Sequence, residues 1–146
     1  MFNIEQTTIE RENEGAWADF KGSRFLIASS GSTKFQKMWS RLQRPHHRDI
    51  EKRRLDPEIQ LDIMAKSMAK TVLLDWADVV DNNGSNIKFS NDMAYKALMA
   101  NSEFRDFVTD FASDLQNYIE DARVELGKSV EKSSNGKSST VSEKSS

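Results

Sequence analysis

The stretch GAWADFKGSRFLIASSGSTKFQKMW, residues 15–39, decides how the N-terminal part of this chain folds. Aromatic and branched residues flank the turn Lys21-Gly22-Ser23, which is a pattern typical of a β-hairpin. A hairpin is only marginally stable alone in water, so it must pack on other elements. The sequence therefore predicts a hairpin over 16–30 that docks on helices.

The second small-residue turn, from Ser30 to Lys34, raises the question of a phosphate-binding loop. Such a loop needs a glycine-rich turn in which lysine is followed by serine or threonine at the start of a helix. Here Thr33 precedes Lys34, and the second glycine is missing. We therefore interpret this turn as a strand-to-helix connection, with Ser32 or Thr33 as the N-cap of the helix.

Helical spacing begins after this turn. The apolar residues over 35–42 recur at intervals of three and four, and Pro45 should end this first helix. A second helix begins at Asp56-Pro57, because aspartate can cap a helix and proline suits its first turn. The apolar stripe of this helix continues at the same intervals to Val79, and residues 82–84, Asn-Asn-Gly, should end it.

Two further helices complete the prediction. The apolar pair Ile87 and Phe89 forms a short extended segment, after which Ser90 can cap a third helix that runs through Met99. A fourth helix over 104–126 has apolar residues on one side and acidic residues on the other. The acidic residues are Glu103, Asp106, Asp110, Asp114, Glu120, Asp121 and Glu125.

Both ends of the chain are polar. Residues 1–14 are predicted to be a flexible N-terminus, and Gly127 fits the end of the last helix. Residues 128–146 are rich in serine and lysine and cannot offset their ordering entropy by burial. The sequence therefore predicts an α+β, mainly α-helical fold, with an N-terminal β-hairpin packed on about four helices within residues 15–127 and a disordered C-terminal tail.

Composition and charge argue against several functional classes. The chain of 146 residues has no cysteine, which excludes disulfides, thiolate nucleophiles and cysteine-ligated zinc. Its net charge of −2 favours neither nucleic acid nor an anionic membrane as a partner. No apolar run approaches the ~18 residues of a membrane span, and the N-terminus lacks the apolar segment of a secretion signal. We therefore expect a cytosolic protein.

The candidate catalytic and metal-binding residues do not form a recognisable site. His46 and His47 are adjacent, so they do not share a helix face, and no acidic or sulfur ligands nearby complete a zinc site. Acidic pairs such as Asp110 and Asp114 have the spacing of a solvated helix face, and nothing marks them as general acids or bases. We therefore predict no catalytic residue, no metal and no cofactor.

The segment 41–54 is locally basic. It contains six arginine and lysine residues but only two acidic residues, Asp49 and Glu51. Such a segment can bind the phosphates of RNA or DNA, but no aromatic residue is interleaved with the arginines here. The acidic side of the last helix offers an alternative partner, within the chain or between copies. Self-association therefore stays open, and nucleic acid is not the favoured partner.

Aromatic residues are numerous for a domain of this size. Packing in the core is the default interpretation for each of them, but an exposed group of aromatic residues would form a patch that binds a partner. The candidate partner-binding residues are Trp17, Phe25, Trp39, Trp76, Phe104, Phe107 and Phe111.

Four stretches of the sequence carry a resemblance to a known family. They are GAWADF (15–20), RFLIASSGSTKFQKMWSRLQRP (24–45), LDPEIQLDIMAKSMAKTVLLDWADVVDNNGSNIKFSNDMAYKALM (55–99) and SEFRDFVTDFASDLQNYIE (102–120). In this order they resemble the small tail assembly chaperones of long-tailed bacteriophages, the class to which the lambda G protein belongs. The resemblance covers roughly residues 15–126, and it rests on a pattern of helices and turns.

The resemblance implies a protein without catalysis. Such chaperones coat the long, apolar tape measure protein until the tube subunits arrive, and then leave, so they are absent from the virion. In many of these phages a translational frameshift adds a second domain to a minority of copies, and that domain recruits the major tail tube protein. The implied location is the cytoplasm of the host cell.

The residues support the same role independently. A protein that keeps an amphipathic helix soluble needs an apolar groove with a charged rim, and this chain has apolar helix stripes within a strongly charged sequence. We therefore predict a tail assembly chaperone that binds the tape measure protein. The alternatives are a minor structural protein of the tail or virion, and a small nucleic-acid-binding regulator that uses residues 41–54.

Overall fold

The computed structural model describes residues 3–137. Its elements in chain order are α1 (Ile4–Glu14), β1 (Ala16–Phe20), β2 (Ser23–Ile27), α2 (Thr33–Gln43), α3 (His47–Glu51), α4 (Pro57–Thr71), β3 (Leu73–Ala77), α5 (Asn91–Ala100), α6 (Ser102–Ser113) and α7 (Leu115–Lys137). A short 3₁₀ turn, Arg44–His46, joins α2 to α3. The fold is α+β and mainly helical, as the sequence predicts.

The predicted hairpin is confirmed. β1 and β2 pair in antiparallel register from Ala16 opposite Ile27 to Phe20 opposite Ser23. The two turn residues, Lys21 and Gly22, both have positive φ, at 50° and 84°. Two-residue turns with this backbone match the right-handed twist of paired strands, and glycine adopts the conformation without a steric penalty.

The third strand corrects the predicted second helix. That helix begins at Pro57, with the Asp56 carboxylate accepting a hydrogen bond from the Glu58 N–H at 2.8 Å, but it ends at Thr71. The following residues, Leu73–Ala77, form β3 and pair antiparallel with β2, with Trp76 opposite Phe25. The short apolar run over 72–74 is compatible with a buried strand as well as with a helix, and pairing with the free edge of β2 decides between the two.

The apolar pair Ile87 and Phe89, predicted as a short extended segment, belongs to no helix and to no strand of the sheet. The only pairing after β3 within residues 78–90 is an isolated bridge between Val80 and Asn86. The carbonyl of Ile87 accepts a hydrogen bond from the indole N–H of Trp76 at 2.8 Å, which fixes the position of this segment. Ile87 and Phe89 of the predicted extended segment therefore pack against the hydrophobic core, beside Trp76.

The hydrophobic core lies between one face of the sheet and α4, α5 and α6. Small side chains allow α4 and α5 to approach closely, since Ala65, Ala69 and Ala94 are all buried at their contact. The buried residues of the core are Phe25, Ile27, Ala65, Met68, Ala69, Val72, Leu73, Trp76, Ala94, Leu98, Phe104, Val108 and Ala112.

The N-terminal residues correct the predicted flexible segment 1–14. Ile4–Glu14 forms α1, which packs on α7, and the Asn3 side chain caps it by accepting the N–H of Gln6 at 3.1 Å. The Arg11 guanidinium lies 3.6 Å from the carboxylate of Glu125 on α7. The residues of α7 that hold α1 are distant from it in the sequence. The polar composition of residues 1–14 alone therefore predicted a flexible segment.

The predicted last helix is divided and longer than expected. Asp114 separates α6 from α7 in an extended conformation, and its carboxylate accepts the N–H of Gln116 at 3.0 Å. α7 then continues past Gly127 to Lys137, because one glycine inside a helix costs only about 1 kcal/mol relative to alanine. The predicted tail of 128–146 thus begins with a helical segment, and residues 138–146 lie outside the described residues.

Tyr118 links α7 to the sheet and provides a test of this packing. Its side chain is fully buried, and its hydroxyl donates a hydrogen bond to the Ile27 carbonyl at 3.1 Å. Replacing Tyr118 by phenylalanine should lower the free energy of unfolding by about 1 kcal/mol, as expected for one buried hydrogen bond. Urea denaturation at neutral pH measures this loss.

The same variant should change how stability depends on pH. Burial, and to a lesser extent the Glu12 carboxylate, raises the pKa of Tyr118 far above its ordinary value. Above about pH 10 the unfolded chain therefore releases this proton while the folded chain retains it, and stability falls. This part of the alkaline loss should be absent from Tyr118→Phe, and equal alkaline loss in both proteins would contradict the assignment.

Candidate partner-binding surface

Three of the seven predicted partner-binding aromatics belong to the core. Phe25, Trp76 and Phe104 are 5%, 8% and 5% exposed. The ring of Phe25 lies 4.8 Å from that of Phe104 and 6.2 Å from that of Trp76, measured between centroids. Their role in the folded chain is therefore packing, which corrects their assignment to a binding patch.

Two further predicted residues, Phe107 and Phe111, lie at the periphery of this aromatic cluster. Phe107 stacks on Phe20 of the hairpin, with 4.6 Å between ring centroids, and Phe111 lies edge-on to Tyr118 at 5.9 Å. Both are half-buried. They connect α6 to the hairpin and to α7, so little of either ring is free for another molecule.

Trp17 lies on the surface. It is 42% exposed on β1, and the guanidinium of Arg24 on the neighbouring strand covers its ring at 4.8 Å from the centroid. A cation over an indole face is an attractive contact that partly shields the ring. Trp17 is therefore an exposed aromatic on the face of the hairpin opposite to Phe25.

Trp39 lines an apolar groove. The groove has a volume of about 380 Å³ and lies between α2, α3 and the first half of α4. No charged side chain lines it. The lining residues are Trp39, Gln43, Ile50, Leu55, Pro57, Gln60, Leu61, Ile63 and Met64.

The local sequence explains why this groove forms. α2 is strongly amphipathic yet has no fully buried residue, so its apolar side, including Phe35 and Trp39, covers α4 only in part. The 3₁₀ turn at Arg44–His46 then redirects the chain so that Ile50 returns to the groove beside Leu55. α2 and α4 thus form two sides of a shallow apolar channel.

Trp39 was among the residues predicted from the sequence to bind a partner, whereas Ile50 and Leu55 were not. Both lie within the charged segment between Pro45 and Pro57, where the cations dominate the pattern. The available signal was the presence of two large apolar residues in an otherwise solvated stretch. Their burial against α4 could not be inferred without the turn that reverses the chain.

A titratable cluster with shifted pKa values joins α4 to α5. The Asp62 carboxylate accepts hydrogen bonds from the Lys66 ammonium, at 2.8 Å, and from the Tyr95 hydroxyl. The hydrogen bond from Lys66, and then that from Tyr95, hold the pKa of Asp62 below its ordinary value, while Asp62 raises the pKa of both partners. This arrangement keeps Asp62 ionised and favours a structural tie over proton transfer.

The histidines and acidic residues are not arranged as a metal site. His47 lies 3.1 Å from the carboxylate of Glu51 on the exposed side of α3, at a spacing of four residues. Within residues 3–137, no group of three or more histidine, aspartate or glutamate side chains could hold a metal ion. The same residues contain no helix with the length and hydropathy needed to cross a bilayer.

Comparison with known proteins gives one result. The family model described as YdaY prophage protein matches residues 30–129, from the turn before α2 to the middle of α7. No curated protein and no solved structure matches the chain. The match covers more than half of the 146 residues and includes the groove between α2 and α4. It confirms the phage origin that the sequence resemblance implied, and the chain belongs to the YdaY prophage protein family.

Proposed function

We propose that this phage-derived protein is a non-catalytic tail assembly chaperone. It binds and solubilises the tape measure protein in the host cytoplasm and is not retained in the virion. The observation that carries the proposal is the uncharged apolar groove between α2 and α4. The resemblance of residues 15–126 to tail assembly chaperones and the membership of a prophage family support it.

The groove suits an amphipathic helix as its ligand. A helix presents apolar side chains at intervals of three and four residues, and a channel between two helices can accept that stripe. Trp39 offers a large flat surface, and Met64 has a flexible side chain that adapts to irregular partners. A tape measure protein, with its long apolar coiled-coil segments, supplies such helices.

Charged residues adjoin the groove in the segment between Ile50 and Leu55. Glu51 follows Ile50, Arg54 precedes Leu55, and all of the residues from Glu51 to Arg54 are exposed. Arg54 also pairs with Asp49 at 3.5 Å, so positive and negative side chains both lie beside this end of the channel. A rim of this kind keeps the chaperone itself soluble while its apolar channel stays open.

Co-expression with the cognate tape measure protein tests this proposal. We expect the tape measure protein to remain soluble and to be recovered with the chain. Replacing Trp39 by alanine should weaken the complex at least about tenfold, which corresponds to about 1.4 kcal/mol for an aromatic contact of this kind. Trp17→Ala is the matched control, because it removes the same side chain from the hairpin surface and should leave binding unchanged.

Two results would contradict the proposal. The first is a tape measure protein that is equally soluble, and unbound, when this chain is absent. The second is detection of the chain by mass spectrometry in purified virions at a stoichiometric level, which would favour a minor structural protein of the tail. Equal loss of binding in Trp17→Ala and Trp39→Ala would place the contact outside the groove.

A further inference from the structure

The charges of this protein are segregated along the chain. From Phe20 to Arg48 there are seven lysine and arginine residues and no carboxylate, although the whole chain has a net charge of −2. Four of these cations fall at intervals of three and four on one side of α2 and its C-terminal cap, and all four are exposed. This basic stripe consists of Lys34, Lys37, Arg41 and Arg44.

The basic stripe lines a second groove, separate from the apolar one. Together with Lys70 from the end of α4 it borders a space of about 950 Å³ whose lining contains no carboxylate and no aromatic ring. None of these five cations forms an ion pair with a described side chain, whereas Arg11, Lys21, Arg24, Arg54, Lys66 and Arg123 each do.

Crowding these cations has a cost. Like charges three or four residues apart destabilise a helix by a few tenths of a kcal/mol for each pair. Lys34–Lys37, Lys37–Arg41 and Arg41–Arg44 are three such pairs in succession. An anionic occupant would remove this repulsion, so the groove is suited to a ligand that carries several negative charges in a row.

The chain itself carries a matching anionic surface. The exposed side of α6 and its C-cap present Glu103, Asp106, Asp110 and Asp114, again at intervals of three and four. At 1.5 Å per residue, this acidic stripe and the basic stripe are both about 15 Å long. Within the described residues, no ion pair joins the two stripes, and Asp106 and Asp110 have no cationic partner.

We propose that copies of this protein associate head to tail, with the acidic side of α6 from one copy in the basic groove between α2 and α4 of the next. The two surfaces differ and lie on one molecule, so the contact is heterologous and builds a ring or an open array rather than a closed dimer. The association involves copies of this chain alone and is independent of the proposed function.

A second copy fits this groove better than nucleic acid does. The groove offers no aromatic ring on which a base could stack, and the remainder of the chain is acidic and repels a polyanion at long range. The acidic stripe, in contrast, has nearly the same length as the basic stripe and three carboxylates, Asp106, Asp110 and Asp114, that form no ion pair with a described cation, while Glu103 pairs with Lys21. Charge complementarity therefore selects the protein's own α6 as the occupant.

Sedimentation velocity of the full chain tests the association. In 0.1 M salt we expect assembly that grows with protein concentration, and in 1 M salt we expect monomer, because the Debye length shortens from about 10 Å to about 3 Å. Wild-type protein that stays monomeric at millimolar concentration in 0.1 M salt would overturn the proposal.

Two neutralised variants make the test specific for a head-to-tail contact. The basic variant carries Lys37→Gln and Arg41→Gln, and the acidic variant carries Asp106→Asn and Asp110→Asn. Each should lose at least about tenfold in self-association, because each lacks one of the two surfaces. An equimolar mixture should form a 1:1 dimer that does not grow, since one intact groove meets one intact acidic stripe.

The mixture also distinguishes a head-to-tail contact from nonspecific aggregation. A separate measurement, thermal melting, checks that each variant is folded. Thermal melting should show that neither variant is less stable than wild type, since all four positions are exposed and the basic variant removes three like-charge pairs from α2. A mixture that remains monomeric, or a variant that assembles as wild type does, would overturn the proposal. So would a wild-type monomer that binds a duplex DNA probe at low salt and loses this binding in the basic variant, because the groove would then serve nucleic acid.

Discussion

Replacing Phe25 by alanine is expected to lower the free energy of unfolding by about 3–5 kcal/mol, which is the usual cost of truncating a buried phenylalanine. The ring is 5% exposed and lies between the hairpin and α6, 4.8 Å from Phe104 and 6.4 Å from Phe107, measured between ring centroids. Its loss leaves a cavity where β2, β3 and α6 meet. Urea denaturation should show a lower midpoint with an unchanged slope.

Phe25→Leu is the matched control for this result. It keeps most of the buried volume and loses mainly the ring contacts, so it should cost clearly less than alanine. Phe25 was also one of the predicted partner-binding residues, and the structure gives it a different role. If Phe25→Ala folds as stably as wild type and only loses binding to a partner, the assignment of this ring to the core is wrong.

Replacing Trp76 by alanine is expected to cost a similar amount, about 3–5 kcal/mol. The indole meets the rings of Phe25 and Phe89 edge-on, at centroid distances of 6.2 Å and 5.1 Å. Its N–H donates a hydrogen bond to the Ile87 carbonyl at 2.8 Å. One side chain therefore joins β3 to the hairpin and also holds the segment that follows the strand.

Trp76→Phe separates the contribution of ring packing from that of the hydrogen bond to Ile87. It keeps an aromatic ring against Phe25 and Phe89 but removes the donor to Ile87, so its cost should be dominated by about 1 kcal/mol for that hydrogen bond. Native-state hydrogen exchange should then show faster opening of residues 86–89 while the amides of β2 stay protected. Uniform loss of protection throughout the chain would contradict a local role for this hydrogen bond.

Features that depend on neighbouring residues were predictable from the sequence. The hairpin follows from Lys21-Gly22 between aromatic and branched residues, because a two-residue turn with positive φ needs glycine or a tolerant residue. Asp56 and Ser90 were expected as N-caps, as was either Ser32 or Thr33, and the side chains of Ser32, Asp56 and Ser90 each accept a hydrogen bond from a backbone N–H at the start of a helix. A cap and a turn act within a few residues, so their signals survive without tertiary information.

The candidate site was only partly predictable. Trp39 was selected as one of seven aromatic residues, but the sequence did not distinguish it from Phe25 or Phe104, which have the same helical or strand-like apolar surroundings. The basic stripe was likewise seen only as the segment 41–54. The position of Lys70 beside this stripe depends on how α2 packs against α4.

The sequence by itself determined the hairpin turn and the N-caps of α2, α4 and α5, because these depend on backbone preferences and on side chains within a few residues. Tertiary structure alone decided that Leu73–Ala77 forms a strand, that Ile4–Glu14 is held as a helix against α7, and which aromatic rings are buried. The physical reason is that a free strand edge, the opposing face of a helix and the depth of a core come into being only when distant segments meet, and the free energy gained there exceeds local propensity.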